Sequence, residues 1–275
     1  MALRVVPILL SAVRAGTKPT MPDKSLGQHW LKDRLILEAI ADCADIETTD
    51  TVLEIGPGLG TLTSVLLDRA EQVVAVEFDP NLARKLPGQF PGKNLIVHNE
   101  DILSFDFRNL PKDYIVVANV PYYITSKIVQ VLSDSINPPK RTALLVQKEV
   151  AERLAAEPGD MSILAVSAQI FHEVSLGPIV GAEWFTPPPK VDSRVVVMER
   201  RSEPLINPEL QKAFFRVVKA GFSERRKKLR SSLSGGLGLD KKEIDILLER
   251  AQLSPEARAQ ELSIAQWKRL AESLS

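Results

Sequence analysis

Between residues 51 and 147 the chain repeats one pattern, a short continuous apolar run followed by an amphipathic stretch. The runs at 51–55, 73–77, 95–98, 114–119 and 142–147 have strand length and are rich in Val, Ile and Leu, as in strands buried on both faces. Helical spacing marks 61–69, 81–86 and 126–132 between them, and a helix at about 33–44 precedes the first run. Strands separated by helices do not pair as hairpins; they build a parallel sheet covered by helices, an α/β architecture. Two later strands are predicted at 169–174 and 194–199, the second alternating and edge-like, with the aperiodic Pro-rich stretch 177–192 read as a loop. The charged stretch 200–208 reads as a linker. Only helical patterns follow, at 208–221, 241–251, 255–260 and 264–273, with Ser-Gly-Gly-Leu-Gly at 234–238 as a break after the first. The division predicted is an N-terminal extension at 1–22, an α/β domain at 23–202 and a small all-helical domain at 203–275.

With 44% hydrophobic and 25% charged residues in 275, the composition is that of a globular protein. No apolar run approaches the roughly 18 residues of a membrane span. The single cysteine, Cys43, excludes an intramolecular disulfide and suits a reducing cytoplasm. Residues 1–20 carry Arg4, Arg14 and Lys18 and no acid, with an apolar patch at 5–10. That patch is short for a targeting peptide, no clear cleavage site follows it, and a short helix or extension is preferred. The formal net charge is zero, yet residues 216–230 hold seven basic residues against one acid, Glu224. A neutral chain with one concentrated basic segment points to a local contact with a polyanion, although a charge run is also an ordinary solvated face.

The first strand runs into Gly56-Pro57-Gly58-Leu59-Gly60. This Gly-x-Gly-x-Gly spacing lets backbone approach a ligand closely but is not the Gly-x-Gly-x-x-Gly that cradles a pyrophosphate. It suits a nucleoside ligand lacking phosphates, such as S-adenosylmethionine. Glu77, 21 residues after Gly56, ends the second strand and can accept two ribose hydroxyls. Asp101, followed by Ile102, comes after the third strand and suits an adenine amino group. Asn119-Val120-Pro121-Tyr122 ends the fourth. The Asn offers an acceptor oxygen and the Tyr a flat face for stacking, so together they can hold a planar amino-bearing ring. Each acid alone reads first as a helix cap or solvated turn residue. Ligands of open parallel sheets bind outside the carboxyl ends of the strands, where all four segments are predicted to converge.

With these residues assembled, the chain resembles the small-subunit ribosomal RNA adenine dimethyltransferases over residues 23–235. The resemblance rests on Lys24-Ser25-Leu26-Gly27-Gln28-His29-Trp30-Leu31, on 53–63, on Asn119-Val120-Pro121-Tyr122-Tyr123, and on Gln147 to Leu154. Phe185-Thr186-Pro187-Pro188-Pro189-Lys190-Val191-Asp192-Ser193 and the basic run after Phe222 complete it. It implies a Rossmann-like class I methyltransferase domain with a helical cap. It also implies S-adenosylmethionine as cofactor, held by Gln28, His29, Leu31, Gly56, Gly58, Glu77, Asp101, Ile102 and Asn119. The substrate it implies is a pair of adjacent adenosines near the 3′ end of small-subunit rRNA, each dimethylated, on a pre-30S particle. Two departures stand out: Trp30 replaces the family's usual Phe, and 157–162 is a shortened segment, which puts an RNA contact there in question.

Asn119 and the Val120 carbonyl are expected to accept hydrogen bonds from the adenine amino group, beside Pro121. Tyr122 is expected to stack on one face of the extruded base and Phe185 on the other. Tyr123 is expected to be a packing residue. Arg225, Arg226, Lys227, Lys228 and Arg230 are the expected phosphate clamp, with Lys190 nearby. No metal is expected, since the three histidines lack ligand spacing, and a monomer is expected. The alternatives are a large-subunit rRNA adenine methylase of the antibiotic-resistance type and a non-catalytic RNA-binding assembly factor on the same scaffold. The glycine spacing disfavours a nicotinamide dehydrogenase.

Overall fold

The computed structural model describes residues 29–224 and 226–274. The expectations for the N-terminal extension, Gln28 and Arg225 lie outside the described residues.

In chain order the elements are β1 (Trp30–Leu31), α1 (Arg34–Asp42), β2 (Thr51–Ile55), α2 (Thr61–Leu66), β3 (Gln72–Val76), α3 (Pro80–Lys85) and β4 (Leu95–His98). Then come β5 (Ile115–Asn119), α4 (Thr125–Ser133), β6 (Arg141–Gln147), α5 (Lys148–Leu154), α6 (Ile163–Gln169), β7 (His172–Val180), β8 (Phe185–Thr186) and β9 (Ser193–Arg200). Four helices close the chain: α7 (Pro208–Gly221), α8 (Leu229–Leu237), α9 (Lys241–Arg250) and α10 (Ile264–Leu274).

Seven strands form one sheet in the order β4-β3-β2-β5-β6-β9-β7. The first five are mutually parallel, and β9 runs antiparallel to β6 and β7. From β2 the chain steps outward through β3 to β4, then returns to start β5 on the other side of β2. That reversal opens a crevice at the carboxyl ends of β2 and β5. Both faces of the sheet's centre are covered because β2, β3, β5 and β6 are buried on both sides. Leu53, Ile55 and Val116 pack with Ile128, Val129 and Leu132 of α4. Val52, Ile115 and Val117 pack with Leu37 and Ile40 of α1 and Leu62 of α2.

A third core gathers Phe214, Leu233, Leu248 and Trp267 from the last four helices. It also takes Ala165, Val166 and Ile170 from and just after α6, so the helical unit is seated on the α/β unit. The stretch read as a linker joins this contact: Ile206 is fully buried, and the Leu205 and Arg201 amides donate to the Ile170 and Phe171 carbonyls. The short loop at 157–162 also faces the helices, with the Gly159 and Met161 amides donating to the Gln260 carbonyl.

Four sequence expectations are corrected. Residue 169 closes α6 rather than opening a strand, and β7 continues to Val180, into the stretch expected as a loop. Gly177 and Pro178 misled because they sit at a register shift between Leu176 and Ile179 on an edge strand, where a missing N–H costs no ladder bond. Ser-Gly-Gly does not break the chain but lies inside α8, with Gly238 alone left-handed as its cap, φ 72°. A β-carbon on Gly236 would lie 2.6 Å from the Ala220 α-carbon, so glycine there lets α8 approach α7. The expected helix at 255–260 is only a 3₁₀ turn at Ala259–Glu261. Of the basic run, Arg226, Lys227 and Lys228 precede α8 in a turn, and Arg230 lies in its first turn.

Candidate active site

The crevice is a cavity of about 310 Å³ whose wall includes Gly56, Glu77, Asp101 and Asn119, the four residues predicted to meet there. The sheet order sets their sequence across it: Asp101 beyond β4, Glu77 beyond β3, Gly56 beyond β2 and Asn119 at the end of β5. His29, Leu31, Gly58, Ile102, Val120, Pro121 and Tyr122 line it as well.

Gly56, Gly58 and Gly60 all have positive φ, at 67°, 58° and 79°, which only glycine adopts without strain. The turn they make aims the Gly58 amide at Glu77, which accepts it through Oε2 at 3.0 Å. Glu77 Oε1 accepts the Asp79 amide at 2.8 Å. Each carboxylate oxygen retains lone-pair capacity for a further donor. Glu77 is 5% exposed, and burial pushes its carboxyl up from the usual value while these amides oppose that shift. Asp101 is exposed at the rim, its Oδ1 accepting the Leu103 amide at 3.0 Å.

On the other side, Asn119 Nδ2 donates to the His29 carbonyl at 3.2 Å. His29 Nδ1 donates to the Pro187 carbonyl at 2.7 Å. β1 and β8 pair here, Trp30 with Thr186 and Leu31 with Phe185. The Leu31 carbonyl accepts Thr61 Oγ1 at 2.9 Å. Tyr122 lies beneath: its ring stacks on His29 with centroids 5.7 Å apart and planes 18° from parallel, and its hydroxyl is 2.7 Å from Ser193 Oγ. Burial raises the Tyr122 phenol, so it stays protonated. The motif around His29 and the Pro-rich motif are thus one bonded unit that holds Asn119 and Tyr122.

Phe185 is not a wall of this cavity. It is 3% exposed and packs with Leu31, Val180 and Val195, because its pairing with Leu31 turns the ring into the core. Tyr123, expected to pack, is 67% exposed and lies on the cavity wall. The expected clamp is largely paired within the chain. Lys227 bridges Glu224 at 2.6 Å, Lys228 pairs with Glu256, and Arg230 pairs with Asp245. Arg226 and Lys190 are exposed with no partner among the described residues. Surface pairs of this kind contribute little to stability.

Among the cavity residues that escaped the sequence reading, two are buried and carry unpartnered polar atoms. Glu54, next to last in β2, is 1% exposed, and its Oε2 lacks a hydrogen-bond partner. Burial dominates and lifts its carboxyl to about 8; nearby Thr63 favours the charged form, and the Glu77 charge adds to the rise. An acid within the apolar run Val52-Leu53-Glu54-Ile55 was the available signal. Trp30, noted only as a departure, lines the same wall at 9% exposure with its indole N–H unpartnered. Among the described residues no group of three His, Cys, Asp or Glu is placed to hold a metal ion, and no helix is long and apolar enough to cross a membrane.

Residues 22–275 match the family described as ribosomal RNA adenine dimethylase. The chain is 40% identical over 253 residues to a ribosomal RNA small subunit methyltransferase A of Dehalococcoides mccartyi, covering 90% of this chain and 86% of that relative. It is 40% identical over 258 residues to the protein of the same name from Clostridium botulinum, covering 92% and 94%. Among solved structures it is similar to a dimethyladenosine transferase from Plasmodium falciparum, with a TM-score of 0.76, 28% identity and coverage of 88% and 96%. It is also similar to the 23S rRNA methyltransferase ErmE, with a TM-score of 0.73, 31% identity and coverage of 89% and 99%.

Proposed function

This chain belongs to the ribosomal RNA adenine dimethylase family, and from that premise we propose that it transfers methyl groups from S-adenosylmethionine to two adjacent adenosines near the 3′ end of 16S rRNA, on a pre-30S particle. One observation carries the assignment of the site. Asn119 spends its amide N–H on the His29 carbonyl, which leaves Oδ1 with no partner among the described residues, in a wall shared with Glu77 and Asp101. That oxygen is an acceptor placed for an exocyclic amino group.

The cavity fits the proposed methyl donor. Its wall carries Glu77, Glu100 and Asp101 against one lysine, Lys127, which favours a cationic ligand over a phosphorylated one. Glu77 suits ribose hydroxyls, and Asp101 with Ile102 suits an adenine ring. The donor, when bound, supplies an electrophilic methyl on a cationic sulfur with a neutral leaving group.

An adenine amino nitrogen is a weak nucleophile because its lone pair is delocalised into the ring. Asn119 Oδ1 and the Val120 carbonyl accept hydrogen bonds from it, which turns the lone pair out of the ring toward the methyl, and the proton released on methylation passes to water. Tyr122, fixed by His29 and Ser193, presents its other face to the extruded base. Aligning the reacting atoms and stabilising charge that develops on nitrogen are the main contributions. The second transfer keeps one of these hydrogen bonds, since a monomethylated amine has one hydrogen left to donate. Among the described phosphate-clamp residues, Arg226 and Lys190 are the unpaired cations this reading uses.

The relatives named for the small subunit are 40% identical to the chain, and the 23S enzyme is 31% identical over a similar span. The test is to incubate the protein with immature 30S and with 50S particles and map dimethyladenosine by mass spectrometry. The expected outcome is modification confined to two adjacent adenosines of 16S rRNA; modification of 23S rRNA alone overturns the substrate assignment.

A further inference from the structure

We propose that Tyr123 and Lys127 form a subsite for the nucleotide adjoining the one being methylated, the Tyr123 ring stacking on its base and the Lys127 ammonium pairing with a phosphate of the same strand. This rests on the RNA substrate proposed above and gives a use to two wall residues that the contacts to donor and target adenine leave idle.

Tyr123 lines the cavity, is largely exposed, and has no hydrogen bond or ring contact among the described residues. An exposed aromatic is commonplace, and its position is what gives it meaning here. Tyr122–Ile124 form a 3₁₀ turn that leads into α4. Successive side chains of such a turn project about 120° apart, so Tyr123 points away from the base that lies on Tyr122 and serves a different ring. Extruding the target adenine strips a stacking partner from the nucleotide beside it. An aromatic face exposed on the wall of the target site replaces that partner, and does so for any base.

Charge is divided across the cavity in the same sense. Glu77, Glu100 and Asp101 stand beyond β3 and β4, on one side of β2, whereas Lys127 belongs to α4, which follows β5 on the other. The acid side suits the cationic donor, and the lysine side suits an anionic strand. Lys127 is exposed and has no acid partner among the described residues. It is the third residue of α4, whose first turn holds no acid. A cation there opposes the helix dipole, and a phosphate supplies the negative charge that the turn lacks.

The competing role for Tyr123 is a cover over the methyl donor, which shares the wall.

The experiment measures methyl transfer to immature 30S particles and, by calorimetry, affinity for S-adenosylhomocysteine. Tyr123→Ala is expected to lower kcat/KM about 5- to 30-fold, the size of one lost base stack, and Tyr123→Phe, which keeps the ring, to recover most of it. Affinity for S-adenosylhomocysteine should not follow. Lys127→Gln should lower the log–log salt slope of particle binding by roughly 0.7, one released counterion. Particles reconstituted with either adenosine of the pair made abasic leave one target beside a missing base. On one of the two kinds the wild type should fall to the level of Tyr123→Ala. A Tyr123→Ala defect that persists on both kinds, or wild-type transfer to neither, overturns the stack. A parallel loss of S-adenosylhomocysteine affinity assigns the ring to the donor and overturns it too. An unchanged salt slope overturns the phosphate contact. Tyr123→Ala turning over like the wild type on intact particles overturns the subsite and leaves the substrate reading standing. A wild-type chain inactive on intact 30S particles fails that reading and the subsite with it.

Discussion

The Asn119 side chain donates to the His29 carbonyl across ninety residues of sequence, at 3.2 Å. The bond decides which end of a symmetric-looking amide faces the cavity. With Nδ2 committed to a carbonyl, Oδ1 is the free atom, and the reading of this site as a grip on an amino group depends on that orientation.

Asn119→Ala removes the acceptor and is expected to lower kcat on immature 30S particles by at least about 100-fold, the scale of losing one preorganised catalytic contact. Affinity for S-adenosylhomocysteine should fall only a few-fold. Tritium transfer and calorimetry measure the two quantities; near-normal turnover would remove Asn119 from catalysis.

Glu54 makes stability depend on pH. Its carboxyl sits at about 8 in the folded chain against a usual 4.5, chiefly through burial. The folded state therefore holds one more proton between those values, and the group's stabilising contribution is complete below 4.5 and lost as pH rises through about 8. The slope is about 1.4 kcal/mol per pH unit for a single proton. Urea unfolding of the ligand-free protein between about pH 5 and about pH 9 should show stability falling with pH from this group. Glu54→Gln, neutral throughout, should flatten the change.

Two adjacent glycines in α8 should respond oppositely to alanine. A β-carbon on Gly235 meets nothing within 4 Å, so Gly235→Ala should stabilise by about 0.5–1 kcal/mol through helix propensity. Gly236→Ala drives a methyl into Ala220 of α7 and should cost about 1–3 kcal/mol. Thermal melts of both variants check the pair, and equal shifts would mean that α8 does not pack on α7 as described.

Arg226 and Lys228 are neighbours in the basic run but differ in their partners. Lys228 pairs with Glu256, whereas Arg226 is unpaired among the described residues. Neutralising Arg226 should lower the salt dependence of subunit binding by about one counterion-release unit, roughly 0.7–0.9 in the log–log slope. Neutralising Lys228 should change it less, because its charge is already partly balanced. Filter binding across a salt series gives both slopes.

Much of the fold was legible because the central strands β2, β3, β5 and β6 are mostly apolar and buried on both faces, which leaves little else such runs can be. The four strand-end residues were legible for the same reason: a parallel sheet delivers its carboxyl ends to one side. The edge strand β7 was not, since Gly177 and Pro178 are read as breakers unless the partner strand is known. Gly236 was likewise read as a breaker, because only the closeness of α7 explains why a helix carries it.

The sequence by itself determined the α/β alternation, the glycine turn, and the convergence of Gly56, Glu77, Asp101 and Asn119, all set by local patterning and strand direction. Only the tertiary structure decided that Phe185 turns into the core, that Tyr123 stays at the surface, and that three of the clamp cations pair with acids. It also decided that Glu54 and Trp30 share a wall with unspent hydrogen-bonding atoms. Those outcomes depend on which distant segment lies beside each side chain, through β1–β8 pairing, the packing of α7 against α8, and the order of strands across the sheet. Spacing along the chain carries no record of such contacts.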